Sequence, residues 1–226
     1  MSLANSENTA VIVPIYNSCE YLEELFDRIS AHIPASQIIA VDDGSTDNSV
    51  ELCHKLGIKT ICLKKNQGKG RALLTGFKES IQNGFLFAFT IDSDLQHDPA
   101  FIPRFFKKQN LTLADLLIGK RDFSPNKMPL MRILSNKLTS LVTSIFAGQK
   151  IYDSQCGYRL YRLEKIKKIK FETTRYQFET EVILALSKKT SLIDYVTIST
   201  IYNGEKSHIS HLRDIKNFIK LILRYL

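Results

Sequence analysis

Residues 85–97 read Phe-Leu-Phe-Ala-Phe-Thr-Ile-Asp-Ser-Asp-Leu-Gln-His, and the change of character at position 92 decides how the chain folds. The uncharged run 85–91, rich in aromatic and β-branched side chains, suits a strand buried on both faces of a sheet. Directly after it, Asp92 and Asp94 flank Ser93 at the strand's exit. Open α/β sheets gather ligands beyond the carboxyl ends of their strands, so this stretch predicts both a parallel sheet and where its site lies.

Upstream, the pattern alternates. Residues 10–15 form a β-branched run that opens into Tyr16-Asn17, and 20–33 carry Tyr21, Leu22, Leu25, Phe26 and Ile29 at helical spacing. Residues 37–41 read as a second strand, followed by Asp42-Asp43-Gly44-Ser45 and a helix from Asp47. Strand 58–63 and helix 69–82 complete the βαβ series before the fourth strand. Three polar clusters thus stand at strand ends, which implies one shared site, although Asp and Ser are also ordinary turn residues. Downstream the order loosens. A strand at 116–119, a helix at 130–147, an irregular stretch at 151–162, a helix at 178–186, a strand at 192–200 and an amphipathic basic helix at 211–226 are predicted. With no repeat or linker, residues 1–226 read as one α/β domain, with a regular half at about 8–105 and a looser one at about 106–226.

Composition narrows the partners. A hydrophobic content of 44% beside 24% charged residues is that of a globular chain. Net charge is +8, which favours anionic partners, but the basic residues follow no helix-turn-helix, zinc-finger or RNA-recognition pattern, so nucleic acid is not expected. No apolar run reaches the roughly 18–20 residues that span a bilayer. Cys19, Cys53, Cys62 and Cys156 show no CxxC spacing and follow no secretory signal pattern; they read as reduced thiols in a cytoplasmic protein.

The chemistry starts from Asp92 and Asp94. Two carboxylates at a strand end can share a hard cation such as Mg²⁺ or Mn²⁺, which completes its shell with substrate phosphates. The same residues would serve as a turn before a helix near Pro99. Lys69 follows a Gly-rich turn at a helix start, where an anion can sit, or is simply a solvated lysine. Gly68-Lys69-Gly70 lacks the spacing of a nucleotide-triphosphate loop.

Taken in order, Pro14-Ile15-Tyr16-Asn17, residues 41–47 (Val-Asp-Asp-Gly-Ser-Thr-Asp), Asn66-Gln67-Gly68-Lys69-Gly70 and Asp92-Ser93-Asp94-Leu95-Gln96-His97 closely resemble the family 2 glycosyltransferases. The nearest branch is similar to the dolichyl- or polyprenyl-phosphate mannosyltransferases, and the likeness continues weakly through Gly119-Lys120-Arg121 and residues 153–161. The resemblance implies a GT-A, Rossmann-like three-layer α/β/α fold with a mostly parallel sheet, its nucleotide-sugar-binding half at about 8–105 and its acceptor-binding half at about 106–226. It also implies transfer of a hexose from a UDP- or GDP-sugar, with inversion. Pro14, Tyr16, Val41 and Asp43 would enclose the nucleobase, with Asp42 bracing the loop. Asp92, Asp94 and Gln96 would hold the metal, while Lys69, Ser93 and Lys206 would meet the nucleotide. Arg121 and Arg159 would serve the reacting centre, Arg132 and Ser135 the acceptor phosphate. Arg159 reads equally as a structural ion-pair partner.

A phosphate acceptor is already ionised and needs cations rather than a base. The rival reading is a glycan hydroxyl, with Asp153 or another second-half carboxylate as base. A non-catalytic nucleotide-sugar module is a third reading; a nucleotidyltransferase would show an N-terminal Gly-rich loop that 10–17 lack. Ser18, Lys120 and residues 203–208 depart from the branch pattern, which leaves donor sugar and acceptor open. Residues 206–208 after Gly204 read as a closing segment. The 211–226 helix reads as either a peripheral membrane contact or a helix packed on the sheet.

Overall fold

The computed structural model describes residues 2–121, 130–199 and 211–225, without the side chains at 130, 132 and 211–214. Its centre is a seven-stranded sheet in the order β3-β2-β1-β4-β6-β5-β7. These strands are β1 (Thr9–Ile15), β2 (Ile38–Asp42), β3 (Lys59–Cys62), β4 (Phe87–Thr90), β5 (Leu116–Arg121), β6 (Arg159–Arg162) and β7 (Ile193–Ile198). The helices are α1 (Cys19–Ser30), α2 (Ser49–Lys55), α3 (Lys69–Gln82), α4 (Ile102–Thr112), α5 (Leu130–Ala147), α6 (Leu163–Lys167), α7 (Phe178–Ser187) and α8 (His211–Leu223).

The crossovers through α1 and α2 step outward from β1 to β3. The crossover through α3 returns past β2 and β1 to β4. Parallel crossovers are right-handed, so this reversal puts α3 on the opposite face from α1 and α2. Ligand crevices open at such a reversal, between β1 and β4, where Tyr16 and Asp92 emerge. On its own face α3 lies close to β1, because Gly76 stands against Ile12 with no room for a methyl group.

The strands are buried as their composition requires: all five residues of β2 and all four of β4 are buried. Phe89 of β4 meets Phe105 of α4 and Tyr158 edge-on, each at 4.9 Å between centroids. Such pairs add about 0.5–1.5 kcal/mol beyond the area they bury.

One strand breaks the parallel pattern. β6 runs antiparallel to both β4 and β5, pairing Thr90 with Arg159 and Ile118 with Arg159. The sequence reading left 151–162 irregular, and this is where it is corrected. Reversal has a direct effect on the site: it delivers the amino-terminal end of β6, and the 153–158 loop before it, to the edge where the other strands end.

Candidate active site

The ends of β1, β2 and β4 are stitched together by side-chain hydrogen bonds. Asp42 accepts from the backbone N–H groups of Gly44 and Ser45 at 3.1 and 3.2 Å and so braces the turn. Asn17, at φ 51°, accepts from Thr46 N–H at 2.8 Å, while its own N–H donates to Ser45 Oγ. Ser18 and Ser93 share a hydrogen bond of 2.8 Å between their hydroxyls, which ties the first loop to the acidic one. Pro14 lies opposite Val41 in the β1–β2 register. Val41 is buried, Pro14 half-buried, and Tyr16 exposed at the rim.

Asp43 is buried and accepts from Gln67 N–H at 2.7 Å and Gly68 N–H at 2.8 Å. Burial pushes its carboxyl above the usual range, and the two backbone hydrogen bonds only partly offset this. The carboxylate thereby fixes the loop that leads into α3. Gly68 there has φ 101°, and a Cβ would meet Thr174 O at 2.6 Å, so glycine is required.

Lys69 opens α3, and its ammonium lies 2.6 Å from Asp92 Oδ1 and 2.7 Å from Glu179 Oε1. Burial opposes the Lys69 charge, but Asp92 and Glu179 outweigh it and raise the pKa. In turn, burial would raise the Asp92 pKa, yet Lys69 holds it below the usual carboxylate value. The lysine is therefore a charged, ion-paired residue of the site, not a solvated one. Asp94 and Gln96 follow in the same loop, with Gln96 N–H donating to Asp94 Oδ1 at 3.0 Å. Asp92, Asp94 and Gln96 are all half-buried.

Among the described residues no three His, Cys, Asp or Glu side chains are grouped to hold a metal. What the loop offers is two carboxylates and an amide, an incomplete set of hard oxygen donors. That set fits a Mg²⁺ or Mn²⁺ ion that brings phosphate oxygens with it. His97, next in the loop, is buried and stacks on Tyr158 with centroids 5.3 Å apart. Burial pulls its pKa down to about 4, so the ring is neutral at pH 7.

Across the crevice, Arg121 at the end of β5 makes a two-pronged ion pair with Asp153, Nε to Oδ2 at 2.6 Å and Nη2 to Oδ1 at 3.0 Å. Asp153 is fully buried and also accepts from Gln155 and Cys156 N–H. Gly157 closes the space between the two halves: a Cβ there would stand 2.6 Å from Lys69 Nζ and 2.7 Å from Asp92 Oδ2.

Arg159 is elsewhere. It is fully buried and donates to the backbone carbonyls of Cys156, Glu179 and Ser154 at 2.6, 2.8 and 2.9 Å. Of the two readings the sequence allowed, the geometry corresponds to the structural one: the guanidinium ties the 153–158 loop to α7 and is spent on carbonyls. Ser135 lies on an exposed face of α5. The Arg132 side chain and Lys206 fall outside the described residues, as does the closing segment at 206–208.

Glu179 was missed. It stands with Glu181 in the first turn of α7, where acids ordinarily complement the helix dipole from the surface. The sequence held no local signal for it: Thr180 follows, and only the assembled fold buries both acids.

The glycosyl transferase family 2 model matches residues 10–170. The UDP-N-acetylglucosamine–dolichyl-phosphate N-acetylglucosaminyltransferase of Methanococcus voltae is 28% identical, over 85% of this chain and 85% of that protein. The undecaprenyl-phosphate mannosyltransferase of Micrococcus luteus is 26% identical, over 84% of this chain and 82% of its own. Among solved structures, the fold is similar to glucosyl-3-phosphoglycerate synthase of Mycobacterium tuberculosis in complex with Mn²⁺, UDP and glucosyl-3-phosphoglycerate. That TM-score is 0.75 at 17% identity, covering 96% of this chain and 79% of that one.

Proposed function

From the premise that this chain belongs to glycosyl transferase family 2 and is a glycosyltransferase of GT-A fold, we propose that it moves a hexose from a UDP- or GDP-sugar to a polyprenyl phosphate, with inversion. The Arg121–Asp153 pair carries the choice of acceptor. Asp153 was the carboxylate named as base for a hydroxyl acceptor, yet it is fully buried and committed to Arg121. Glu179, a second buried second-half carboxylate beside the site, is committed to Lys69. An ionised phosphate needs no base, and the Arg121 guanidinium on that wall suits it. The two relatives act, by their names, on dolichyl and undecaprenyl phosphate.

In this reading the base lies against Pro14, Tyr16 and Val41, with Asp43 beside it. The diphosphate runs past Ser93 toward Lys69. Lys206 meets the donor, and Arg121, Arg132 and Ser135 meet the acceptor phosphate, whose oxygen attacks the anomeric carbon opposite the leaving group. Asp92, Asp94 and Gln96 would hold a divalent ion, which would neutralise charge on the departing diphosphate; glucosyl-3-phosphoglycerate synthase, similar in fold, has been crystallised with Mn²⁺ and with Mg²⁺. The test is transfer of labelled hexose from UDP- and GDP-sugars to undecaprenyl phosphate. Transfer should occur with one donor and be lost in Asp94→Asn. Full activity of that variant, or product on a glycan hydroxyl alone, would overturn the reading.

A lipid acceptor requires a place beside the membrane, at its cytoplasmic face. Among the described residues no helix is long and apolar enough to cross a bilayer. Instead α5 exposes Met131, Leu134, Leu138, Leu141 and Ile145, between 58% and 77% accessible, at alternating spacings of three and four. Its neighbour α8 packs Leu221 and Ile222 inward with Val142 and Phe146, and exposes Ile215, Ile219 and Leu223. At 100° per residue, Lys216, Lys220 and Arg224 follow directly beside that exposed stripe. An apolar face with a cationic flank suits the headgroup boundary of an anionic bilayer. Vesicles containing anionic lipid should sediment the protein, and Leu138→Glu with Ile219→Glu should release it. Equal binding by both would sink the membrane contact.

A further inference from the structure

Lys69 and Glu179 bear on how the cation reaches Asp92. The Lys69 ammonium already occupies one oxygen of that carboxylate, at 2.6 Å. The other oxygen faces Gly157, where even a methyl group would stand 2.7 Å away. Glu179, whose side chain is 5% exposed, holds the same ammonium from its far side. An ammonium and a divalent ion in contact with one carboxylate repel each other strongly inside a protein, where charges are poorly screened.

We propose that Lys69 is a positioning residue, a tethered counter-cation that shares Asp92 with an incoming divalent ion, and that Glu179 is the seat that keeps its ammonium when Asp92 turns to the ion. The inference rests on the metal reading above. Asp92, Asp94 and Glu179 only just balance the three positive charges of Lys69 and a divalent ion, and Glu179 faces the ammonium, so the ion's own shell lacks negative charge and oxygens that the donor diphosphate supplies. The ion alone therefore binds weakly, and ion and nucleoside diphosphate strengthen each other's binding by the same factor. A site built this way admits the cation together with the donor.

The experiment measures Mn²⁺ affinity, by the electron paramagnetic resonance of the free ion, without nucleotide and with UDP or GDP. Lys69→Met should bind Mn²⁺ alone at least about tenfold more tightly, since a unit charge a few ångströms away is removed. It should also lose most of the gain that the diphosphate brings. Lys69→Arg keeps the charge and should stay within about threefold of the native protein. Glu179→Gln leaves Lys69 on Asp92 and should weaken Mn²⁺ by about threefold or more, an effect that vanishes in the Lys69→Met background. Melting temperatures establish that each variant is folded; should Lys69→Met fail to fold, Glu179→Gln and Lys69→Arg carry the test. Unchanged Mn²⁺ affinity in Lys69→Met, or in Glu179→Gln, overturns the proposal when Asp94→Asn does weaken binding. If Asp94→Asn binds Mn²⁺ as the native protein does, the metal reading itself falls, and this proposal with it.

Discussion

Asp153→Asn removes one negative charge from the buried loop before β6, beside the end of β5, while keeping the side chain's shape. In the native protein Asp153 is 0% exposed and accepts two charge-assisted hydrogen bonds from Arg121, whose side chain is 13% exposed. The amide cannot neutralise that guanidinium and turns at most one oxygen toward it. Breaking a buried pair by removing one partner costs about 3–5 kcal/mol, because the survivor stays charged and desolvated. For a chain of this size each kcal/mol shifts the melting temperature by roughly 2–4 °C, so a fall of roughly 6–20 °C follows. Urea or thermal melts read this directly. Arg121→Gln in the same chain removes the uncompensated charge, so the double variant should be more stable than Asp153→Asn alone. Transfer rates add a second readout: if Asp153 acts by holding Arg121, the two single losses in kcat/KM should not add. A melting shift under about 2 °C, or fully additive losses in rate, would refute the claim that this pair is buried and acts as one unit.

Gly157→Ala places a methyl group against flexible charged ends rather than backbone, so the fold should keep its melting temperature within a few degrees. The Lys69–Asp92 pair must part, and Mn²⁺–nucleotide binding measured by calorimetry should weaken; unchanged binding would show that the contact has slack. Asp43→Ala deletes two hydrogen bonds to a charged acceptor, each worth about 1.5–3 kcal/mol, and should weaken nucleotide binding at least about tenfold. Equal affinity would remove Asp43 from the base pocket. Burial raises the thiol of Cys53 to about 11 and that of Cys156 to about 12, so at pH 8 roughly one molecule in a thousand or fewer carries the reactive thiolate at either position. A chromogenic disulfide should therefore modify exposed Cys62 in the native protein and reach Cys53 and Cys156 only after unfolding. Rapid native labelling of Cys156 would contradict its burial.

Much of the first half could be read from residues alone because local and global signals agree there. Helix α3 begins and ends where the sequence indicated, since Gly68 sets its entry by backbone conformation and its apolar positions recur at helical spacing. The acidic loop after β4 stood out because two carboxylates follow a run without charge. β6 was hidden for the opposite reason. Its four residues, Arg-Leu-Tyr-Arg, are charged at both ends, and no local rule foresees an arginine buried among backbone carbonyls. Its reversed direction is a property of the assembled sheet that no short window carries. Glu179 was invisible likewise: an acid in a helix's first turn looks like a surface residue until Lys69, 110 positions earlier, arrives beside it.

The reversed strand also sets a timetable for the chain as it is made. The order β3-β2-β1-β4 is complete once residue 90 has appeared, and its parallel pairs can form from sequence already synthesised. Nothing in that early sheet neutralises Lys69 through Glu179, and no second-half strand yet covers the open edge of β4. Contacts between distant positions form late, because closing a long loop costs entropy before it yields any contact. A nascent chain halted after residue 121 would therefore hold the first half of the crevice with a bare apolar strand along it. Such an edge invites pairing with another chain, so arrested or truncated forms should aggregate before they show any activity.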